Sequence, residues 1–201
     1  MKNIFITIAV EDILSELIVK KILYYIDKNI IVTKCLRKGG DGYLKSKINN
    51  FNQAAKTTPF LVLADQDRGC PPKKISAWLK TKANPNFIFR IAVMEVESWI
   101  LAHRDAFAKF ISVSKDKIPK ETDTIGDPKK FLLSLVSRSK SKRLRSDIVP
   151  SKGSTATVGP DYNGRLSIFI QTQWNPLEAK SNSESLNRMI NRIQEFREAY
   201  K

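Results

Sequence analysis

Four short apolar runs constrain the fold of this chain more than any other feature of its sequence. They cover residues 4–10, 29–36, 58–64 and 87–93 and are rich in β-branched and aromatic residues. Such continuous runs are typical of strands that are covered on both faces. Segments with helical spacing separate them, so the sequence predicts an α/β fold with a mostly parallel sheet flanked by helices.

The character of the chain changes near residue 113. The preceding segment alternates strands and helices, whereas the later one is polar, broken by Pro119, Gly126 and Pro128, and helical again over 129–136, 163–173 and 183–200. We therefore predict an α/β catalytic core over residues 1–112. Residues 113–201 are predicted to form a basic loop and a helical C-terminal extension that packs on this core.

Composition narrows the chemistry that is open to this chain. It has 201 residues, a length suited to one domain, with only two cysteines and one histidine. A disulfide framework, a zinc site and histidine-based nucleophilic catalysis are therefore disfavoured, which leaves carboxylates and lysines as candidate catalytic groups. The formal net charge of +15 favours a polyanionic partner, above all DNA or RNA.

We expect a cytoplasmic protein without a membrane partner. No apolar run approaches the roughly 20 residues that span a bilayer. The apolar start of the chain leads into Glu11 and Asp12, and not into the small residues of a signal-peptide cleavage site.

Acidic residues follow three of the four predicted strands. Glu11 follows the first strand, Asp65 and Asp67 the third, and Glu95 and Glu97 the fourth. The carboxyl ends of parallel strands meet at one edge of a sheet, and carboxylate oxygens are the ligands that Mg²⁺ prefers. The sequence therefore predicts a site for Mg²⁺ or Mn²⁺ there.

Each of these acidic residues also has a structural explanation. Glu11 is equally suited to the N-terminus of the following helix, where a negative charge is favourable. Either Glu95 or Glu97 completes the metal site, while the other serves as a helix cap or an ion-pair partner; the pattern alone does not separate the two.

The order of these motifs resembles the Toprim domain of type IA and type II topoisomerases, bacterial primases and overcoming-lysogenization-defect nucleases. The resemblance implies a Toprim/Rossmann-like fold over residues 1–112, with Glu11 as general acid/base and Asp65 and Asp67 as Mg²⁺ ligands. Residues 94–102, Met-Glu-Val-Glu-Ser-Trp-Ile-Leu-Ala, also resemble small stand-alone Toprim-like proteins of the DUF4276 kind. The chain departs from the Toprim pattern at residues 10–12, where Val-Glu-Asp stands without the glycine common beside the first glutamate.

The basic residues of the later segment provide candidate contacts to phosphate. Overcoming-lysogenization-defect nucleases use a lysine in a later segment to stabilise the negative charge that develops on the phosphate. By resemblance Lys152 is the candidate for this role. The alternative is that Lys152 is an ordinary solvated lysine. A basic run interleaved with serines is predicted to bind the phosphates of nucleic acid. Its basic residues are Arg138, Lys140, Lys142, Arg143 and Arg145. Its alternative is a mobile, solvated loop.

These features predict a metal-dependent endonuclease that cleaves phosphodiester bonds. By resemblance it would serve as a phage-defence effector, with a partner protein of that defence module. Three alternatives stay open: a non-catalytic nucleic-acid or partner-binding module, a phosphoacceptor with Asp65 as the acceptor, and a nucleotide-processing enzyme with a small substrate.

Overall fold

A four-stranded, all-parallel sheet forms the centre of the molecule. The computed structural model describes residues 3–66 and 70–200. The strands are β1 (Ile4–Ala9), β2 (Ile30–Leu36), β3 (Phe60–Gln66) and β4 (Phe87–Val93), and their order across the sheet is β2-β1-β3-β4. Because helices flank this sheet and continue beyond residue 113, the predicted α/β class with a helical C-terminal segment is confirmed.

Helices follow each strand and then dominate the rest of the chain. Their bounds are α1 (Ile13–Ile26), α2 (Gly40–Ala54), α3 (Pro71–Trp78), α4 (Val96–Ala102), α5 (Arg104–Phe110), α6 (Pro128–Val136), α7 (Lys142–Ile148), α8 (Tyr162–Thr172), α9 (Pro176–Ala179) and α10 (Glu184–Glu198). Short 3₁₀ turns lie at Lys115–Lys117, Thr122–Thr124 and Lys180–Asn182. Within the described residues, no helix has the length and apolar character needed to cross a membrane.

The two faces of the sheet bury two different hydrophobic clusters. Helices α2 and α3 cover one face, where Leu44 and Ile48 pack with Val62 and Phe89. Helix α1 covers the other face, and its cluster continues into the C-terminal helices. The segments before and after residue 112 therefore share one core, in which side chains such as Trp99 and Phe169 are fully buried.

Buried hydrogen bonds fix the C-terminal helices to the core. The indole Nε1 of Trp99 donates to Ser185 Oγ at the start of α10, at 2.7 Å. The indole Nε1 of Trp174 donates to the backbone oxygen of Trp99 at 2.9 Å. Both indole N–H groups are thus satisfied inside the core, which is the condition for burying tryptophan at low cost.

The structure differs from the sequence prediction at two helices. The apolar spacing after the fourth strand predicts one helix from Trp99 to Phe110, but the backbone of His103 leaves the helical region and separates α4 from α5. Its ring Nδ1 accepts a hydrogen bond from the backbone N–H of Asn175 at 3.0 Å. The sequence predicts a loop for the basic run, but only its first part is one. Ser141 caps α7, so the run is helical from Lys142 onward.

The Trp99–Ser185 hydrogen bond leads to a stability prediction. Ser185→Ala leaves a buried indole N–H without an acceptor, so we expect the free energy of unfolding to fall by about 1–3 kcal/mol. Urea denaturation followed by tryptophan fluorescence measures this change. Ser181→Ala, at an exposed serine, is the matched control and should change stability by less than about 0.5 kcal/mol. Equal effects of the two substitutions would contradict the prediction.

Candidate functional site

The candidate site lies at the topological switch point of the sheet, between the carboxyl ends of β1 and β3. Strand β1 has β2 on one side and β3 on the other, and the helices that leave β1 and β2 pack on opposite faces of the sheet. In open α/β sheets, the crevice at such a switch point is where ligands bind. Glu11 follows β1 and Asp65 lies near the end of β3, so both border this crevice.

Glu11 and Asp65 meet there as the sequence predicts. The Oε1 atom of Glu11 accepts a hydrogen bond from the backbone N–H of Asp65 at 2.8 Å. Burial raises the pKa of Glu11 above its ordinary value, although this hydrogen bond acts in the opposite direction. Asp12, the next residue, has a structural role, because its carboxylate caps α1 by accepting the Ser15 N–H at 2.8 Å.

Asp65 is the most perturbed carboxyl group of the cluster. Its Oδ1 atom is buried and has no hydrogen-bond partner. Burial raises the pKa of Asp65 well above its ordinary value, and the negative charges of Glu11, Glu97 and Glu95 raise it further. A buried carboxylate oxygen without a partner is costly, and either a proton or a cation at this atom would lower that cost.

Glu95 and Glu97 reach the cluster from the start of α4. Glu95 occupies the N-cap position, and Glu97 lies in the first turn with only 1% of its surface exposed. Met94, just before them, has a left-handed backbone with φ of 65°. Such backbone strain in a residue other than glycine is concentrated at functional sites. Burial also raises the pKa of Glu97.

Lys129 and Tyr162 contact this side of the cluster, the first as a positive charge and the second as a hydrogen-bond donor. Lys129 Nζ lies 3.5 Å from Glu95 Oε1 and 3.7 Å from Glu97 Oε1, and its backbone N–H donates to Glu95 Oε2 at 3.1 Å. Tyr162 Oη donates to Glu97 Oε1 at 2.8 Å. Burial acts to lower the pKa of Lys129, but the charges of Glu97 and Glu95 outweigh it and the pKa is raised.

Lys74 approaches the cluster from the opposite side. Its Nζ donates to the backbone oxygen of Asp65 at 2.5 Å and to Asp41 Oδ1 at 2.8 Å, and it lies 4.6 Å from the centre of the Trp78 ring. The Lys74 charge lowers the pKa of Glu11, against the larger effect of burial. Two lysines therefore border the carboxylates, one on each side.

The other predicted site residues lie elsewhere or outside the described part of the chain. Asp67 lies outside the described residues. Lys152 is exposed in a loop and makes no ion pair with any described carboxylate. In the basic run, Arg145 is half-buried and donates to the backbone oxygen of Ser139. The remaining cations of the run are exposed: Arg138, Lys140, Lys142 and Arg143.

Lys129, Lys74 and Tyr162 were not found from the sequence. Lys129 follows Asp127 and Pro128, a pair that signals a helix start and not a site. Lys74 and Tyr162 likewise lie in ordinary helical patterns. Their position beside the carboxylates comes from tertiary packing, for which one sequence carries no direct signal.

The described carboxylates of the cluster offer the oxygen ligands that a hard divalent cation prefers, but they are not arranged around one metal position. Among residues 3–66 and 70–200, no three acidic, histidine or cysteine side chains are arranged so that they could hold a metal ion. The carboxyl groups whose charges act on Asp65, among them Glu11 and Glu97, offer oxygen ligands only, as Mg²⁺ and Mn²⁺ require.

Comparison with known proteins identifies one family. The sequence model of a family described as a domain of unknown function, DUF4276, matches residues 4–194. No curated protein and no solved structure gives a significant match. The matched region includes both lysines and all the described carboxylates of the site.

The crowded carboxylates lead to a prediction about pH. The ordinary pKa of Asp65 is 3.8, and its raised pKa in the folded protein means that the folded state holds its proton to higher pH than the unfolded state. Asp65 therefore destabilises the metal-free protein increasingly as the pH rises above 3.8. We expect Asp65→Asn to raise the free energy of unfolding in EDTA, and to do so more at about pH 8 than at about pH 5.

Urea denaturation of both proteins at the two pH values measures this difference. Groups that do not interact with Asp65, such as His103, titrate alike in both proteins and cancel from the comparison. The relief of Glu11 and Glu97, whose charges act on Asp65, is part of the expected gain. Glu121→Gln, at an exposed carboxylate, is the control and should show no such pH-dependent gain. An Asp65→Asn protein that is less stable than the parent at both pH values would contradict the electrostatic account.

Proposed function

We propose a nuclease function for this chain, which belongs to the DUF4276 family. In this proposal it is a Toprim-like, metal-dependent enzyme that hydrolyses phosphodiester bonds of DNA or RNA. The proposal rests on one observation above all, the buried and unpartnered Asp65 Oδ1 beside Glu11 at the switch point of the sheet. A nuclease must also bind a polyanion, and the net charge of +15 favours such binding.

The electrostatics of the cluster support a cation as the missing partner. Glu11, Asp65 and Glu97 all have raised pKa values, so their charges are unfavourable in the absence of a counterion. Lys129 and Lys74 offset only part of this charge, because neither of them contacts the Asp65 carboxylate. A divalent ion held by Asp65 with Glu11 or Glu97 would remove the repulsion.

The residues of the site have separate roles in this proposal. Mg²⁺ or Mn²⁺, when bound, would supply Lewis-acid stabilisation of the phosphate oxygens. Glu11 would move a proton, since its raised pKa brings it closer to the range in which a carboxyl group exchanges protons at neutral pH. Asp67, by resemblance, would contribute a further ligand.

In this proposal Lys129 takes the role for which the family resemblance makes Lys152 a candidate. It already lies beside Glu95 and Glu97, and its raised pKa keeps it protonated. A cation held in this position can stabilise negative charge that develops on a phosphate. Lys74 is a positioning residue, because it contacts the backbone oxygen of Asp65 and not its carboxylate.

The basic run provides a surface for the rest of the nucleic acid. Its exposed cations follow the end of α6, the helix whose first turn carries Lys129. Contacts of this kind bind phosphates without reading sequence. The family resemblance implies a phage-defence setting with a partner protein, and this setting belongs to the proposal together with the cytoplasmic location expected from the sequence.

A second candidate is a non-catalytic nucleic-acid-binding or partner-binding module. It is favoured by the absence, among the described residues, of three side chains already arranged around a metal position. In that case the cluster would persist without a cation, and the basic surface alone would carry the function. Metal binding separates the two candidates.

The first functional prediction concerns Asp65 and Glu11. Purified protein with Mn²⁺ or Mg²⁺ should nick plasmid DNA or degrade RNA, and Asp65→Asn and Glu11→Gln should each lower the rate by about 100-fold or more. The same variants should weaken Mn²⁺ binding, measured by calorimetry, by about tenfold or more.

Glu121→Gln, purified in the same way, is the control for a contaminating nuclease and should cleave like the parent. Cleavage by the Asp65→Asn protein at the parental rate would assign the activity to another site or protein. Absence of any Mn²⁺ or Mg²⁺ binding would instead support the non-catalytic module.

The second functional prediction uses two adjacent lysines. Lys129 lies between Glu95 and Glu97, whereas Lys130 is exposed and pairs with Asp127 at 2.8 Å. Lys129→Gln should lower kcat by about 100-fold, the size of effect expected when one transition-state charge contact is lost, and change KM much less. Lys130→Gln should stay within about twofold of the parent.

Circular dichroism and Mn²⁺ affinity show whether the Lys129→Gln protein keeps its fold and its metal site. Lys152→Gln, measured beside it, tests the lysine that the sequence pointed to. If Lys152→Gln loses activity and Lys129→Gln does not, the roles of the two lysines proposed here are reversed.

A further inference from the structure

A cavity at the outer edge of the sheet is separate from the carboxylate cluster. Strand β4 is the edge strand, and the cavity opens beside it between α3 and α10. Its volume is about 380 Å³, which lies inside the range of about 300–1,000 Å³ for small-molecule sites. None of the carboxylates or lysines of the candidate site lines it.

One wall of the cavity is apolar and the other carries cations. Pro71, Pro72 and Ile75 of α3, together with Ile91 of β4, provide the apolar surface. Arg90 of β4 points to the opposite face from Ile91, toward α10, as alternate strand residues do. Arg188 of α10 lines the same side of the cavity.

Arg90 forms no direct ion pair in the described part of the chain. Its Nε atom is buried without a hydrogen-bond partner, and it forms none of the ion pairs found there. Burial lowers the pKa of Arg90, and the charges of Arg192 and Arg188 lower it further, against the opposing effect of Glu195. A partly buried guanidinium without a partner is costly, and an anion would relieve that cost.

The two acidic residues that also line the cavity already have partners. Asp123 accepts hydrogen bonds from Ser183 Oγ and the Ser185 N–H, both at 2.7 Å. Glu184 pairs with Arg188 at 2.8 Å, but both side chains are largely exposed, so this ion pair is weak and can open. Arg90 is therefore the unsatisfied group, and Arg188 is able to join it around an anion.

We propose that this cavity binds a small organic anion, with its phosphate or carboxylate group held by Arg90 and Arg188. The apolar or planar body of the ligand would lie against Pro71, Pro72, Ile75 and Ile91. Guanidinium groups suit this chemistry because they offer paired donors to phosphate and carboxylate oxygens. The inference does not depend on the nuclease proposal, since the two sites share no residue.

Calorimetry with two anionic probes tests the site and identifies the anion. Adenosine 5′-monophosphate represents an organic phosphate and benzoate a carboxylate, each compared with its uncharged counterpart, adenosine or benzyl alcohol. At least one anion should bind the full-length protein, and its uncharged counterpart should bind at least about tenfold more weakly, because charged hydrogen bonds are lost. Arg90→Gln should weaken binding of the anion, and so should Arg188→Gln, which changes an exposed residue.

Lys56→Gln removes the same charge at an exposed position of the chain and should leave binding unchanged. Alkylation of the exposed Cys70, which lines the cavity, gives a second readout, because a bound ligand should slow it. Cys35 is the internal reference, since burial raises the pKa of its thiol to about 11. Failure of both anions to bind, or unchanged binding by Arg90→Gln, would overturn the proposal.

Discussion

The contact between Glu11 and Asp65 is the constraint on which the rest of the site depends. Glu11 Oε1 accepts the Asp65 N–H at 2.8 Å, so two acidic residues far apart in sequence are held together at the ends of neighbouring strands. One backbone hydrogen bond lowers the cost of this arrangement, but it does not satisfy the buried Asp65 Oδ1. The chain thus maintains a local excess of negative charge that a fold without a use for it would avoid.

Contacts from the C-terminal helices stabilise the negative charges of Glu95 and Glu97. Lys129 of α6 and Tyr162 of α8 contact Glu95 and Glu97, and both helices belong to the segment after residue 112. The hydrophobic cluster of α1 also continues into those helices, and the family match reaches residue 194. Residues that hold the site in place therefore come from both halves of the chain, and the two halves also share one core.

The sequence predicted the strands and the acidic strand ends, but not the groups around them. Continuous apolar runs identified β1 to β4 because buried parallel strands need such runs, and Glu11 and Asp65 follow from the topology of a parallel sheet. The break at His103 is accompanied by a contact with Asn175, and the position of Lys129 depends on how α6 packs near α4. Long-range contacts of this kind have no periodicity, so neither residue stands out in the sequence.

The distinction between Glu95 and Glu97 shows what the structure adds. In the sequence they are equivalent, two glutamates on either side of Val96. In the structure Glu97 is buried and bonded to Tyr162, whereas Glu95 is more exposed and accepts the Lys129 backbone N–H. The charge of Glu97 also affects Asp65 more strongly than that of Glu95. In the proposed metal site Glu97 is therefore the member of this pair that would share the cation with Asp65, while Glu95 would orient Lys129.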